Sequence, residues 1–407
     1  MNDKRVVVTG IGVISPIGCG LAAFRKNLFA GTCGIREARD IDLSELPCNK
    51  AGEVVDFNPK DFIPRKNIRY LDRVTLFAVS AAVLAMKDAG LDIGKANAAR
   101  GTVLGSMYSG WSSISSFREV METDRLKRVS PALFPNTVLN APASQVAIEL
   151  GNQGPCTSVN TGFSSGADAI ALGCDYLKEG KAEIVIAGGA EELNKWIAGS
   201  LVKNSLSHHR DVSDMYRVFS SDRKGIIPGE GACMVVLETR EQALERQAKV
   251  YCEILGGFTG TSAADSYSYA LTMEADMATV VQKALESSGV VKSEVDYICA
   301  EGNGTRTGDL AEAGAISRVF KNESPWVSSI KPMIGHTSGA AGAFNAAACC
   351  LAIRHGRLPP TIYYGEDPEI RLRIVADRAK KANVQKAVSN AFSTGGNTTT
   401  IVFGGMD

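Results

Sequence analysis

Short β-branched runs closed by glycine recur along the chain, as RVVVTGIG, GTVLGS, EIVIAGGAE, ACMVVLE, VDYICAEGNG and TTTIVFGG. Apolar residues at helical spacing fill the stretches between them, as in VTLFAVSAAVLAMKDAG and SGADAIALGCDYLKEG. A continuous apolar run predicts a strand buried on both faces, and its alternation with helical stretches predicts an α/β protein whose sheets lie between helices. The pattern also doubles. The segment from Ala182 to Glu192, a strand followed by paired glycines, resembles the terminal stretch from Ala387 to Phe403, where paired glycines precede a β-branched strand. Two α/β halves, 1–250 and 251–407, meeting near Lys249, account for the doubling. No low-complexity linker or long charge run separates them, so they are expected to fuse into one body.

Composition narrows the function classes. With 407 residues, 45% hydrophobic and 22% charged, the chain can build a substantial core. Lys plus Arg and Asp plus Glu both number 44, so net charge favours neither nucleic acid nor an anionic membrane surface, and a charged partner must be met by a local patch. No stretch approaches the roughly 18 apolar residues of a membrane span. The opening MNDKRVVVTGIGVIS has a short apolar stretch and no small-residue cleavage site, so a cytoplasmic location is expected. Ten cysteines without CxxC pairs or histidine ligand spacing predict neither a disulfide framework nor a metal site. The first glycine-rich turn, TGIGVISPIG, lacks both the GxGxxG spacing and the acidic residue of a dinucleotide site.

Candidate chemistry enters through a set of ordered segments. VVVTGIGVISPIG, RKNIRYLDRVTLFAVSAAVLAMKDAGL, GPCTSVNTGFSSGADAI, FSSDRKGIIPGEGAC, AEGNGTRTGDLAEA, SSIKPMIGHTSGAAG and NAFSTGGNTTTIVF follow one another from Arg5 to Phe403. Together they resemble the β-ketoacyl synthase family, block by block and in that family's order. The resemblance implies a five-layered α/β/α/β/α thiolase fold and a dimer. It also implies a cysteine at the start of a buried helix, two histidines for decarboxylation of a malonyl thioester, and a backbone N–H pair as oxyanion hole. Each part is chemically apt: a helix N-terminus favours a thiolate, and imidazole N–H groups stabilise an enolate.

Two of those groups are missing. Phe163 occupies the cysteine position in NTGFSSG, and a benzyl group has no lone pair with which to attack a thioester. Ser164 and Thr161 are offset substitutes that would need an activating base, and Cys156, on the preceding strand, reads as a buried small hydrophobe. Glu301, within AEGN, occupies the first histidine position, where a carboxylate opposes a developing enolate. The second histidine survives as His336, read as a core residue bonded to backbone, and Lys331 with Glu312 is expected to form a structural ion pair. Thr394 takes the place of the phenylalanine that gates the acyl channel.

A synthase without its nucleophile and first histidine resembles the chain length factor of type II polyketide synthases. That group implies a heterodimer with a catalytic ketosynthase and an acyl carrier protein whose phosphopantetheine carries the substrate, with no cofactor bound directly. Trp111, Ile114, Phe117, Leu133 and Phe134 are expected at the interface as the wall that limits chain length; the alternative is plain core or dimer packing. Lys66, Arg69, Lys127 and Arg128 are expected to meet the acidic carrier. Two rival readings remain: a homodimeric 3-oxoacyl synthase-like acyltransferase or decarboxylase with a non-standard site, and a pseudoenzyme that only binds acyl carriers.

Overall fold

The computed structural model describes residues 4–63, 68–122, 131–203, 215–262, 274–321, 323 and 325–406. In the first half the principal elements run β1 (Val6–Ser15), α1 (Arg73–Asp88), β2 (Arg100–Gly105), α2 (Ala141–Leu150), β3 (Cys156–Val159), α3 (Ser165–Lys178), β4 (Ile184–Glu191) and β5 (Gly231–Thr239). In the second they run β6 (Cys252–Thr261), α4 (Glu274–Ser288), β7 (Tyr297–Cys299), α5 (Arg306–Phe320), β8 (Trp326–Ser328), α6 (Ala341–His355), β9 (Lys386–Phe392) and β10 (Asn397–Gly404). The strand orders are β3-β2-β4-β5-β1 and β8-β7-β9-β10-β6, the same topology built twice. Among the described residues the two sheets join where Val6–Val8 of β1 meets Cys252–Ile254 of β6.

Helices α3 and α6 fill the space between the sheets, since each touches strands of both. Helices α1 and α2 cover the outer face of one sheet; α4 packs on the other with α5 beside it, and both share a core with Ile298, Val327, Val388 and Val402. The result is the α/β/α/β/α layering of the thiolase fold. Sequence explains the placement. Every residue from Ala341 to Ala352 of the alanine-rich α6 is buried, as an inner helix requires. All residues of β1 are buried, and a Cβ at Gly12 would fall 1.9 Å from the Ala81 carbonyl, so α1 lies directly on the strand. The TGIG glycines are therefore packing contacts within β1. Asp72 caps α1 by accepting the Thr75 N–H at 3.1 Å.

Among the described residues strand β3 is the edge of its sheet, hydrogen-bonded to β2 on one side only. Cys156, expected to be buried, is exposed for that reason. Among the described residues no helix is long and apolar enough to cross a membrane.

Candidate active site

The chain leaves β3, makes a single tight turn over Gly162–Ser164 and enters α3. Gly162 has φ +72°, and a Cβ there would lie 2.1 Å from Ser393 Oγ, so only glycine lets the loop after β9 close over the turn. That closure buries Phe163 completely. Its ring packs with Met107, Leu201 and Ile226 and meets the His336 ring at 4.3 Å between centroids, tilted by 51°. Its N–H donates to Ser393 Oγ at 2.8 Å, and that hydroxyl donates in turn to the Thr394 carbonyl at 2.9 Å. Thr394 itself is buried.

The neighbouring hydroxyls are committed elsewhere. Asp168, in the first turn of α3, accepts bonds from Thr161, Ser164, Thr259 and Thr399. One carboxylate shared by four hydroxyls, with no imidazole beside it among the described residues, activates neither Thr161 nor Ser164.

Glu301 lies just beyond β7, and His336 follows the short helix Lys331–Ile334. The Ser338 N–H donates to His336 Nδ1 at 3.1 Å, which requires a free lone pair there, so Nε2 carries the proton and donates to Glu301 Oε1 at 3.0 Å. Lys331 Nζ reaches the same Oε1 at 3.2 Å and also donates to the Glu301 carbonyl. All three residues are buried. Burial alone would push the Glu301 carboxyl up, but Lys331 and His336 outweigh it and hold the group below its ordinary 4.5. His336 is pushed below 6.5, chiefly by burial, with the attraction of Glu301 offsetting only part. The set is a closed, charged knot against an aromatic ring, in which Glu301 Oε2 lacks a hydrogen-bond partner.

The expected Lys331–Glu312 pair is not formed. Glu312 turns back from α5 to accept the N–H groups of Glu301 at 3.0 Å and Gly302 at 2.7 Å, with Asn390 Nδ2 at 3.0 Å. Lys331 pairs with the closer carboxylate of Glu301 instead. His336 bonds to backbone as expected, and to Glu301 as well.

Residues 3–243 match the β-ketoacyl synthase N-terminal domain, and residues 251–364 match its C-terminal domain. The chain belongs to the β-ketoacyl synthase family. Within it, the 3-oxoacyl-[acyl-carrier-protein] synthase 2 of Staphylococcus aureus strain COL is 34% identical over 413 residues, covering 99% of this chain and 98% of that protein. The enzyme of the same name from Coxiella burnetii is 34% identical over 415 residues, covering 99% of each. The solved ishigamide ketosynthase/chain length factor superposes with a TM-score of 0.94 at 32% identity, covering all of both chains. A β-ketoacyl synthase from Burkholderia phymatum STM815 gives 0.92 at 28%, over 99% of this chain and all of that one.

This family member carries its other candidate residues on the surface. None of the side chains of the helix Trp111–Glu122 is buried. Ile114, Phe117 and Phe134 line one open apolar groove of about 550 Å³, with Phe117 edge-on to Phe134 at 6.3 Å. Trp111 turns instead into a separate pocket of about 610 Å³ with Leu46, Lys195 and Trp196, and Leu133 is exposed and lines neither. Arg69 is exposed and stacks on Tyr70, its guanidinium carbon 4.6 Å from the ring centroid. Lys66, Lys127 and Arg128 lie outside the described residues.

Sequence reasoning missed Ser393, Trp196 and Glu191. Glu191, the last residue of β4, accepts Ser106 Oγ and the N–H groups of Met107, Tyr108 and Gly339 at 2.9–3.0 Å, tying the Met107 loop to the loop after His336. An acid closing an apolar strand was the available signal. Glu192, next to it, accepts the N–H groups of Ser112 and Val74, both at 3.3 Å.

Burial, reinforced by the charge of Asp72, raises the Glu192 carboxyl to about 7. A group raised in the folded state contributes stability that is whole below its unfolded value near 4.5 and lost as pH rises through about 7. The stability difference between wild type and Glu192→Gln is therefore expected to move against wild type by about 3 kcal/mol as pH rises from about 4.5 to about 7. Urea denaturation at acidic and at alkaline pH measures it, and a pH-independent difference would contradict the assignment.

Proposed function

We propose that this chain is the chain length factor of a type II polyketide synthase: a cytoplasmic, non-catalytic subunit that pairs with a cysteine-bearing ketosynthase and limits the chain grown on an acyl carrier protein. The observation that carries the reading is the sealed position of Phe163. By family resemblance a thiol stands there, and here an aromatic hydrocarbon is wholly buried, its N–H taken by Ser393. Glu301, in place of the first histidine, neutralises Lys331 and engages His336, so that the His336 imidazole is not free to stabilise an enolate.

The outer surface supports a subunit role. The β3 edge and the exposed Trp111, Ile114 and Met121 of the helix Trp111–Glu122 are features that an isolated soluble chain usually hides. The likeness to the ishigamide ketosynthase/chain length factor agrees, and so does the likeness to a type II PKS acyl-carrier protein in complex with its ketosynthase bound to the hexaketide, which superposes with a TM-score of 0.88 at 25% identity over all of both chains. Under this reading Trp111, Ile114, Phe117, Leu133 and Phe134, joined by Trp196, bound the partner's acyl tunnel, and Lys66, Arg69, Lys127 and Arg128 face the carrier, whose phosphopantetheine delivers the substrate.

Incubation of the purified chain with acyl and malonyl thioesters, followed by intact-mass measurement and assay of released carbon dioxide, tests the central point. No adduct and no decarboxylation are expected. An adduct or sustained decarboxylation would favour the second reading, a homodimeric 3-oxoacyl synthase-like enzyme with a non-standard site, which the 34% identity to 3-oxoacyl-[acyl-carrier-protein] synthase 2 keeps in view. Co-purification with a cysteine-bearing ketosynthase separates the heterodimer from the homodimer. In the reconstituted pair, Trp111→Ala or Phe117→Ala is expected to lengthen the product by enlarging the tunnel; chromatograms with unchanged product lengths would remove these residues from the wall.

A further inference from the structure

A further concave site lies at the far end of α6, about 20 Å along that helix from the His336 loop. Arg25 and Lys26 project from the helix Leu21–Ala30, His355 closes α6, and Arg357 and Lys381 sit directly opposite each other in a short antiparallel strand pair. With Phe29 at the base, these five line a groove of about 550 Å³. No carboxylate lines it, and none of the ion pairs among the described residues involves any of the five. Arg25 Nη1 donates to His355 Nε2 at 3.5 Å, and Arg357 lies over the Phe29 ring at 5.5 Å while its Nη2 donates to the Phe29 carbonyl.

Such crowding is unfavourable without a counter-charge. Like charges directly opposite across a strand pair destabilise it, and the chain has no net charge that would oblige basic residues to collect anywhere. The carbonyl end of α6 accounts for Arg354 and His355 in its last turn, but not for Arg25, Lys26 or Lys381. Two arginines and two lysines lining one concavity match a small ligand with several closely spaced acceptor oxygens.

We infer that this groove is an anion-binding site for a diphosphate-bearing small molecule. The assignment is independent of the role proposed for the chain. His355 supplies a readout: it is held below 6.5 by burial first and then by Arg25 and Arg354. The groups that face it are those two with Lys26, Arg357, Lys381 and the Phe29 ring, all cationic or apolar. A bound polyanion reverses that repulsion, so the His355 pKa rises on binding, and affinity increases as pH falls through the imidazole range.

The test is a calorimetric titration of the full chain, with any subunit that co-purifies, using inorganic pyrophosphate, with sulfate and inorganic phosphate as weaker comparators. Saturable one-to-one binding is expected, tightening at lower pH and weakening with salt. Arg357→Gln and Lys381→Gln should each weaken it about tenfold, while Lys95→Gln, on a distant exposed ion pair, should leave it unchanged. All three substitutions are on the surface, so folding is preserved. Absence of saturation, equal binding of sulfate, or insensitivity to the Arg357 and Lys381 variants would overturn the site. Poly-aspartate binding that pyrophosphate cannot displace would assign the surface to an acidic protein and overturn it too.

Discussion

Glu301→Ala is expected to cost about 3–5 kcal/mol of folding stability, because it strands the buried Lys331 ammonium without its carboxylate. Lys331 is 2% exposed, and its remaining partner would be the neutral carbonyl of residue 301. The same change takes the acceptor from His336 Nε2. Since Glu301 is held below 4.5, its contribution is whole above that pH and disappears only as pH falls through the depressed value. The penalty should therefore persist from neutrality into mild acid. Chemical denaturation of the single variant, of Lys331→Met and of the double variant gives the coupling directly, with most of the loss recovered in the double. If Glu301→Ala lies within about 0.5 kcal/mol of wild type, the knot is not the charged pair described here.

Phe163→Cys should convert a chain that forms no covalent intermediate into one that is stoichiometrically acylated by an acyl thioester. The new thiol would sit at the start of α3, where the helix dipole favours the thiolate. Loss of the ring opens a cavity among Met107, Leu201 and Ile226, at a cost below the roughly 3–5 kcal/mol of a Phe→Ala change. Circular dichroism checks the fold, and Phe163→Leu serves as a folded variant without a nucleophile. Intact-mass spectrometry reads the outcome. Condensation should still fail, since Glu301 remains opposite the developing enolate; adding Glu301→His is required for any carbon–carbon bond formation. A folded Phe163→Cys protein that takes no acyl group, or a wild-type chain that does, would refute the placement of residue 163.

Much of the architecture was legible because its signals are local. The buried strand RVVVTGIG, the helix after Asp72 and the glycine turn before Phe163 each state their conformation within a few residues. The expected Lys331–Glu312 pair failed for a different reason. Two buried carboxylates, Glu301 and Glu312, were within plausible reach, and only the path of α5 shows that Glu312 faces three N–H donors while Glu301 meets the ammonium. Cys156 was misjudged because small apolar character says nothing about whether a strand is an edge. Trp111, Ile114 and Phe117, three positions apart, were expected together in one wall. That spacing spreads around the helix far enough to send Trp111 toward Trp196 and Ile114 with Phe117 toward Phe134.

What the sequence determined by itself is intrinsic to single side chains and short periodicities: alternating strands and helices, two similar halves, and a benzyl group that no surroundings can turn into a nucleophile. The tertiary structure alone decided which charges meet and which apolar faces stay open. Lys331 and Glu301 are separated by 30 positions and Phe163 and Ser393 by 230, and such partnerships depend on how the two sheets close around α3 and α6. Burial and pairing belong to that closure, because a charge or a ring acquires its energy from its neighbours.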